Sequence, residues 1–258
     1  MNSNASQQAY DRGHTIFSPD GRLYQVEYAR EAVERGSPSV GIRTDDGVVL
    51  AARKPVRSPL LEARTVEKSH RIDDHVAVAS AGHAADARQL VAVAREAAQR
   101  HRLRYGEPIG VESLTKAIAD HVQEYTQTGG SRPYGTALLV AGVDETGPRL
   151  FEIDPSGTPY GWRAVAIGNG AAEIRGFLED RIRQPHQTET KTKATASEKQ
   201  TDGIGREAGL TTALEALATT VDEPLSTDEV DICVVDAETA SVDLFSSDRV
   251  SDELQAAS

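Results

Sequence analysis

The chain has 258 residues, with 28 Lys and Arg against 40 Asp and Glu, a formal net charge of −12 and a hydrophobic content of 38%. That length suffices for one large domain or two small ones around a buried core, and a field of this sign disfavours nucleic acid and anionic lipid as partners. No apolar run is long enough to span a membrane, the opening MNSNASQQAYDRGH lacks the basic and apolar regions of a secretory signal, and the one cysteine, Cys233, excludes an internal disulfide and a cysteine-based zinc site, which together point to the cytoplasm.

Residues 1–15 are polar, show no hydrophobic periodicity and read as a terminal arm. Ser18-Pro19-Asp20-Gly21 carries Pro in the second and Gly in the fourth position of a type I turn. From Leu23, the spacing of Val26, Ala29 and Val33 predicts a short amphipathic helix that ends at Gly36 as a C-cap. Extended segments at 39–42 and 48–51 flank Asp45-Asp46-Gly47, a hairpin signal, and a second extended pair surrounds Asp73-Asp74. Two helices follow without an intervening strand, over about 84–102 and about 111–125. Strands are predicted at 137–140, at 149–153 and in a third stretch running through Trp162 to Ile167, with Asp154-Pro155-Ser156-Gly157 as a turn. Ile174, Phe177, Leu178 and Ile182 mark a helix, residues 185–203 form a polar low-complexity linker, and Leu210, Leu214, Leu217 and Val221 mark another helix. A hairpin over 230–245 and a polar, frayed tail at 248–258 close the chain.

Hairpins grouped in blocks with helix pairs between them imply antiparallel sheets covered on their outer faces. The fold class is α+β, a four-layer αββα sandwich over 37–247, preceded by a segment (1–36) that holds the arm and an extra helix.

Several constellations have bland readings. Gly168-Asn169-Gly170 resembles the start of a dinucleotide fingerprint, but Glu173 stands where the third glycine belongs, so a tight strand-to-helix turn is the better reading. His70 and His75 bracket Asp73 and Asp74, which read as a solvated hairpin tip rather than a metal site. Cys233 lies in an apolar strand as a small core residue. The cations divide into 22 Arg and 6 Lys, and this Lys-poor, acidic composition suggests a salt-adapted host.

The distinctive segments lie elsewhere. Tyr10-Asp11-Arg12 precedes Phe17-Ser18-Pro19-Asp20-Gly21-Arg22-Leu23 and Gln25-Val26-Glu27-Tyr28-Ala29; later come Glu67-Lys68, Ala85-Asp86-Ala87-Arg88, Tyr125-Thr126-Gln127, Arg132-Pro133-Tyr134-Gly135 and Asp154-Pro155-Ser156-Gly157. Together these resemble the α subunits of archaeal-type 20S proteasomes, and the resemblance implies the sandwich of the N-terminal-nucleophile hydrolases with an added helix across its open end. Active relatives in that fold use a threonine freed as residue one. Here the comparable strand begins near Ser37-Pro38-Ser39-Val40-Gly41 without a threonine, Arg53 stands where an acidic partner is expected, and only Lys68 matches a catalytic position. The resemblance therefore implies a non-catalytic subunit with no cofactor or metal. The alternative is a self-processing peptidase with a nucleophile exposed near Ser37.

By the same resemblance, Tyr10, Asp11, Pro19 and Tyr28, with Arg12, form a cluster that holds an axial gate open. Lys68 receives the terminal carboxylate of a regulatory ATPase tail in a pocket with Gly21, Arg22, Leu23, Glu27 and Gly82, and His83 stands where relatives often carry Leu. The implied partners are six further α subunits in a seven-membered ring, catalytic β rings, an AAA-type ATPase and unfolded polypeptide in transit.

Overall fold

Short acidic turns set up two five-stranded sheets. Asp45-Asp46-Gly47 joins β1 (Ser39–Thr44) to β2 (Gly47–Arg53), and Thr44 Oγ1 donates to Asp46 Oδ1 at 2.9 Å. Asp74 and His75 connect β3 (Ser69–Asp73) to β4 (Val76–Gly82), and a second tight turn connects β5 (Thr136–Asp144) to β6 (Gly147–Ile153). With β7 (Pro159–Gly161), β8 (Ala164–Ile167), β9 (Val230–Asp236) and β10 (Ser241–Leu244), the orders are β10-β9-β2-β1-β8 and β3-β4-β5-β6-β7, antiparallel throughout. This computed structural model describes residues 17–56, 58–183, 204–221 and 223–256. Tyr10, Asp11, Arg12 and the linker 185–203 lie outside them.

Strand alternation explains the layering. In β4 and β5, Ala77, Ala79, Ala81, Ala137, Leu139 and Ala141 face the other sheet, and meet Val48, Leu50, Cys233 and Val235 there. The opposite faces carry Val76, Val78, Leu138 and Val140, which pack under α2 (Ala84–Tyr105) and α3 (Val111–Gln127). Across the molecule, Val40, Ile42, Val49, Ile232 and Val234 pack under α4 (Ala171–Arg183) and α5 (Arg206–Ala218). Strands buried on both faces read as continuous apolar runs, which is why alternation is faint in the sequence. The result is the αββα sandwich, with the inter-sheet core as its central layer.

Four local expectations change. The third strand of the middle block splits, because the chain changes sheet at Trp162 and Arg163: Trp162 N donates to the Leu150 carbonyl in one sheet, and Arg43 N in the other donates to the Arg163 carbonyl. The tail is not frayed over its length. Residues Ser247–Ala256 form α6, which buries Val250 and packs Leu254 on the core under α5. His75 is not solvated; it is buried, with Nε2 bonded to the Ile109 carbonyl at 2.8 Å. Gly36 does not cap a helix in the left-handed region; close packing against Gly82 fixes its identity instead.

Candidate docking cavity and the extra helix

The turn at Ser18–Gly21 forms as its residues dictate: Gly21 N donates to the Ser18 carbonyl, Ser18 Oγ accepts from Arg22 N at 3.1 Å, and Gly21 takes a φ of 74°. It delivers the chain into α1 (Tyr24–Glu34). Val26, Ala29 and Val33 form its buried face, and Val33 reaches the inter-sheet core, so α1 closes one end of the sandwich. On its outer face Arg30 ties the helix to the 154–158 turn by donating to Asp154 Oδ2 from Nε and Nη2 at 3.1 and 2.8 Å.

The helix ends at Arg35 in the right-handed region, and Gly36 is small for packing rather than for turning. A Cβ on Gly36 would collide with the backbone of Gly82. The Gly36 carbonyl also accepts from Asn169 N at 2.7 Å, and a Cβ on Gly168 would sit 2.9 Å from the Gly36 and Ser37 carbonyls. Gly168-Asn169-Gly170 is therefore a close-packed turn between β8 and α4, with Gly168 and Gly170 at φ 96° and 71°.

Three backbones meeting this tightly leave a cavity of about 880 Å³ beside them, between the end of α1, the start of α2 and the residues before β3. Lys68 lies at its buried end, 7% exposed. Its Nζ donates to the Ser37 carbonyl at 2.7 Å and to Ser37 Oγ at 3.1 Å, both neutral oxygens. Burial pushes the amine from 10.5 down to about 7, opposed in part by Asp231. Asp231 is itself committed: Oδ2 accepts from Lys68 N at 2.8 Å, and Oδ1 pairs with Lys54 Nζ at 3.2 Å. Sequence reasoning missed Asp231 and Lys54, since β9 pairs with β2 across about 180 residues of chain and nothing local marks the contact.

Of the residues assigned to the tail pocket, the structure brings Lys68 and Gly82 to this cavity, with His83 at its rim. Gly21, Arg22, Leu23 and Glu27 lie at the opposite end of α1, whose 11 residues span about 16 Å, and do not line the cavity. Of the gate residues, Pro19 is exposed in the turn and Tyr28 is 45% exposed on α1; Tyr10, Asp11 and Arg12 fall outside the described residues. Two other distant motifs do meet. Asp86 on α2 accepts from both Arg132 terminal nitrogens at 2.6 and 2.7 Å and from Gly135 N at 2.8 Å. Burial alone would raise the Asp86 carboxyl, but these hydrogen bonds hold it below its ordinary value.

Ser37 sits beside an amine of lowered basicity, yet its own nitrogen is a peptide amide rather than a free base. Freeing it would mean cutting at Gly36, where the chain is wedged against Gly82 while Val33 is held in the core. The self-processing alternative is not favoured by this geometry. Cys233 is fully buried and its thiol is pushed up to about 12 by that burial, as a small core residue would be. Among the described residues no helix is long and apolar enough to cross a membrane.

Comparison with known proteins extends these observations over the whole chain. A family model described as "Proteasome subunit" matches residues 33–235, and a second, which describes the N-terminal signature of A-type proteasome subunits, matches residues 10–32. The proteasome alpha 1 subunit of Haloferax volcanii is 53% identical over 99% of this chain and 94% of its own length. The proteasome alpha 2 subunit of Haloarcula marismortui is 55% identical over 96% and 95%, and the proteasome alpha subunit of Haloquadratum walsbyi is 51% identical over 97% and 93%.

Proposed function

The chain belongs to the proteasome subunit family, in its alpha branch, and we propose that it is the non-catalytic structural and gating subunit of a proteasome core from a salt-adapted organism. Seven copies form an outer ring in the cytoplasm, stack on catalytic β rings and govern the entry of unfolded polypeptide. The observation that carries this reading is that similarity to alpha subunits runs through both the sandwich and the N-terminal signature. The position of α1 at the end of the sandwich supports it, because this helix keeps Ser37 inside the chain.

In this reading Tyr10, Asp11, Pro19 and Tyr28, with Arg12, hold the arm in its open arrangement: phenols and a carboxylate exchange hydrogen bonds between neighbouring copies, and Pro19 fixes the hinge. Lys68 and Gly82 supply one wall of a pocket for the terminal carboxylate of a regulatory ATPase tail. Gly21, Arg22, Leu23 and Glu27, lying at the far end of α1, supply the other wall from the adjacent copy. A chain that docks an ATPase in this way uses no cofactor of its own. Deleting residues 2–12 tests the gate. The assembled particle should then hydrolyse peptides and unfolded protein faster without ATPase, and unchanged rates with intact assembly would refute the assignment of the arm as the barrier.

A further inference from the structure

Lys68 is placed for chemistry that the docking reading does not use. Its Nζ has two partners among the described residues, the carbonyl and the hydroxyl of Ser37. A neutral amine carries two N–H bonds and one lone pair, so these two acceptors suit the neutral form and leave the lone pair free. An ammonium would bring a third N–H, for which the described residues offer no acceptor. Asp231, the carboxylate that acts on this amine from a distance, is engaged by Lys54 Nζ and by the Lys68 backbone. Burial therefore outweighs attraction. About half of the amine is unprotonated at pH 7, against roughly one part in 2,500 for an ordinary lysine.

A desolvated lysine of this kind is a nucleophile. The cavity of about 880 Å³ brings it within reach of a small electrophile, since small-molecule sites span roughly 300–1,000 Å³. Two features of the wall favour an anionic donor. Arg88, exposed on α2, presents a guanidinium that pairs with phosphate, and the first turn of α2 opens here with no side-chain hydrogen bond from its N-cap, His83.

We propose that Lys68 is a site of non-enzymatic N-acylation, taking a small acyl group from an acyl phosphate that enters the cavity. The Nζ lone pair attacks the acyl carbon and a C–N bond forms. The C–O bond to phosphate breaks, inorganic phosphate leaves with the electron pair, and water takes the proton lost by nitrogen. The product is a neutral amide, which suits a site that penalises charge, and its remaining N–H still serves the Ser37 carbonyl. This chemistry is independent of the docking reading; where that reading holds, an acylated Lys68 offers a terminal carboxylate no charge.

The test treats the full chain at about 2 M salt with acetyl phosphate and follows each lysine by mass spectrometry after cleavage at arginine. Two other lysines serve as internal standards. Lys116 on α3 is 63% exposed beside Glu112, and Lys54 is as deeply placed as Lys68 but ion-paired with Asp231. At pH 7, Lys68 should be acetylated at least about tenfold faster than Lys116, and Lys54 more slowly than either. Between pH 7 and 9 the ratio of Lys68 to Lys116 should fall at least about tenfold. The free base of an ordinary lysine rises about tenfold per pH unit over that range, whereas Lys68 levels off. In urea the preference for Lys68 should vanish. Acetylation of Lys68 no faster than that of Lys116 at pH 7, or a ratio constant from pH 7 to 9, overturns the proposal. So does a preference that survives unfolding, or Lys54 reacting as fast as Lys68.

Discussion

Lys68 is a buried amine held by neutral acceptors, and that arrangement fixes how the stability of the chain depends on pH. In the unfolded chain the amine has its ordinary value of 10.5, and in the fold it falls to about 7. Below pH 7 both states carry the proton and the full cost of burying the charge is present. Between pH 7 and 10.5 the unfolded state binds a proton that the folded state has released, so stability rises with pH; above 10.5 both are neutral. One proton over this window corresponds to about 1.4 kcal/mol per pH unit, and integration from pH 7 to 9, with the folded amine half-titrated at the start, yields about 2 kcal/mol. Lys68→Met removes the titration and leaves the Ser37 carbonyl without its donor, a cost that does not vary with pH. The experiment is urea unfolding of parent and variant in high salt, followed by fluorescence of the single tryptophan, Trp162. The parent should gain about 2 kcal/mol on the variant between pH 7 and 9. A constant difference over that range would mean that Asp231 keeps the amine charged, and the burial argument would fall.

Other perturbations probe the surrounding architecture. Gly36→Ala drives a methyl into the Gly82 backbone and should cost about 3 kcal/mol in the same unfolding assay, whereas Gly176→Ala, in open space on α4, should stabilise by up to about 1 kcal/mol. Asp86→Asn cannot accept both Arg132 nitrogens and the Gly135 amide as an anion does; because Arg132 is more than half exposed, the expected loss is about 2 kcal/mol, diminishing as the pH falls through the depressed Asp86 value. With −12 on each copy, ring assembly followed by sedimentation should weaken as salt is lowered, and indifference to dilution would count against salt adaptation.

The sequence by itself determined the blocks of the sandwich. Asp45-Asp46-Gly47 and Ser18-Pro19-Asp20-Gly21 are local turn chemistry, and the spacing of Leu114, Ile118, Val122 and Tyr125, in steps of four, four and three, settles α3 without help from distant residues. The motifs around Pro19, Lys68 and Tyr134 carried the family resemblance in the same way, because they are contiguous words in the chain. Tertiary structure decided what long-range contact alone specifies. The crossing at Trp162 and Arg163 depends on which sheet offers a partner to each backbone group, and α6 holds because Val250 finds a core to enter; neither condition is visible in local composition. Gly36 shows the difference most plainly, since in sequence it looks like a helix stop and in the fold it is the space needed by Gly82, from another strand. The same holds for Lys68. Its lowered basicity is a property of burial among Ser37, Asp231 and the wall of α2, groups gathered from across the chain, and desolvation exists only once they are packed.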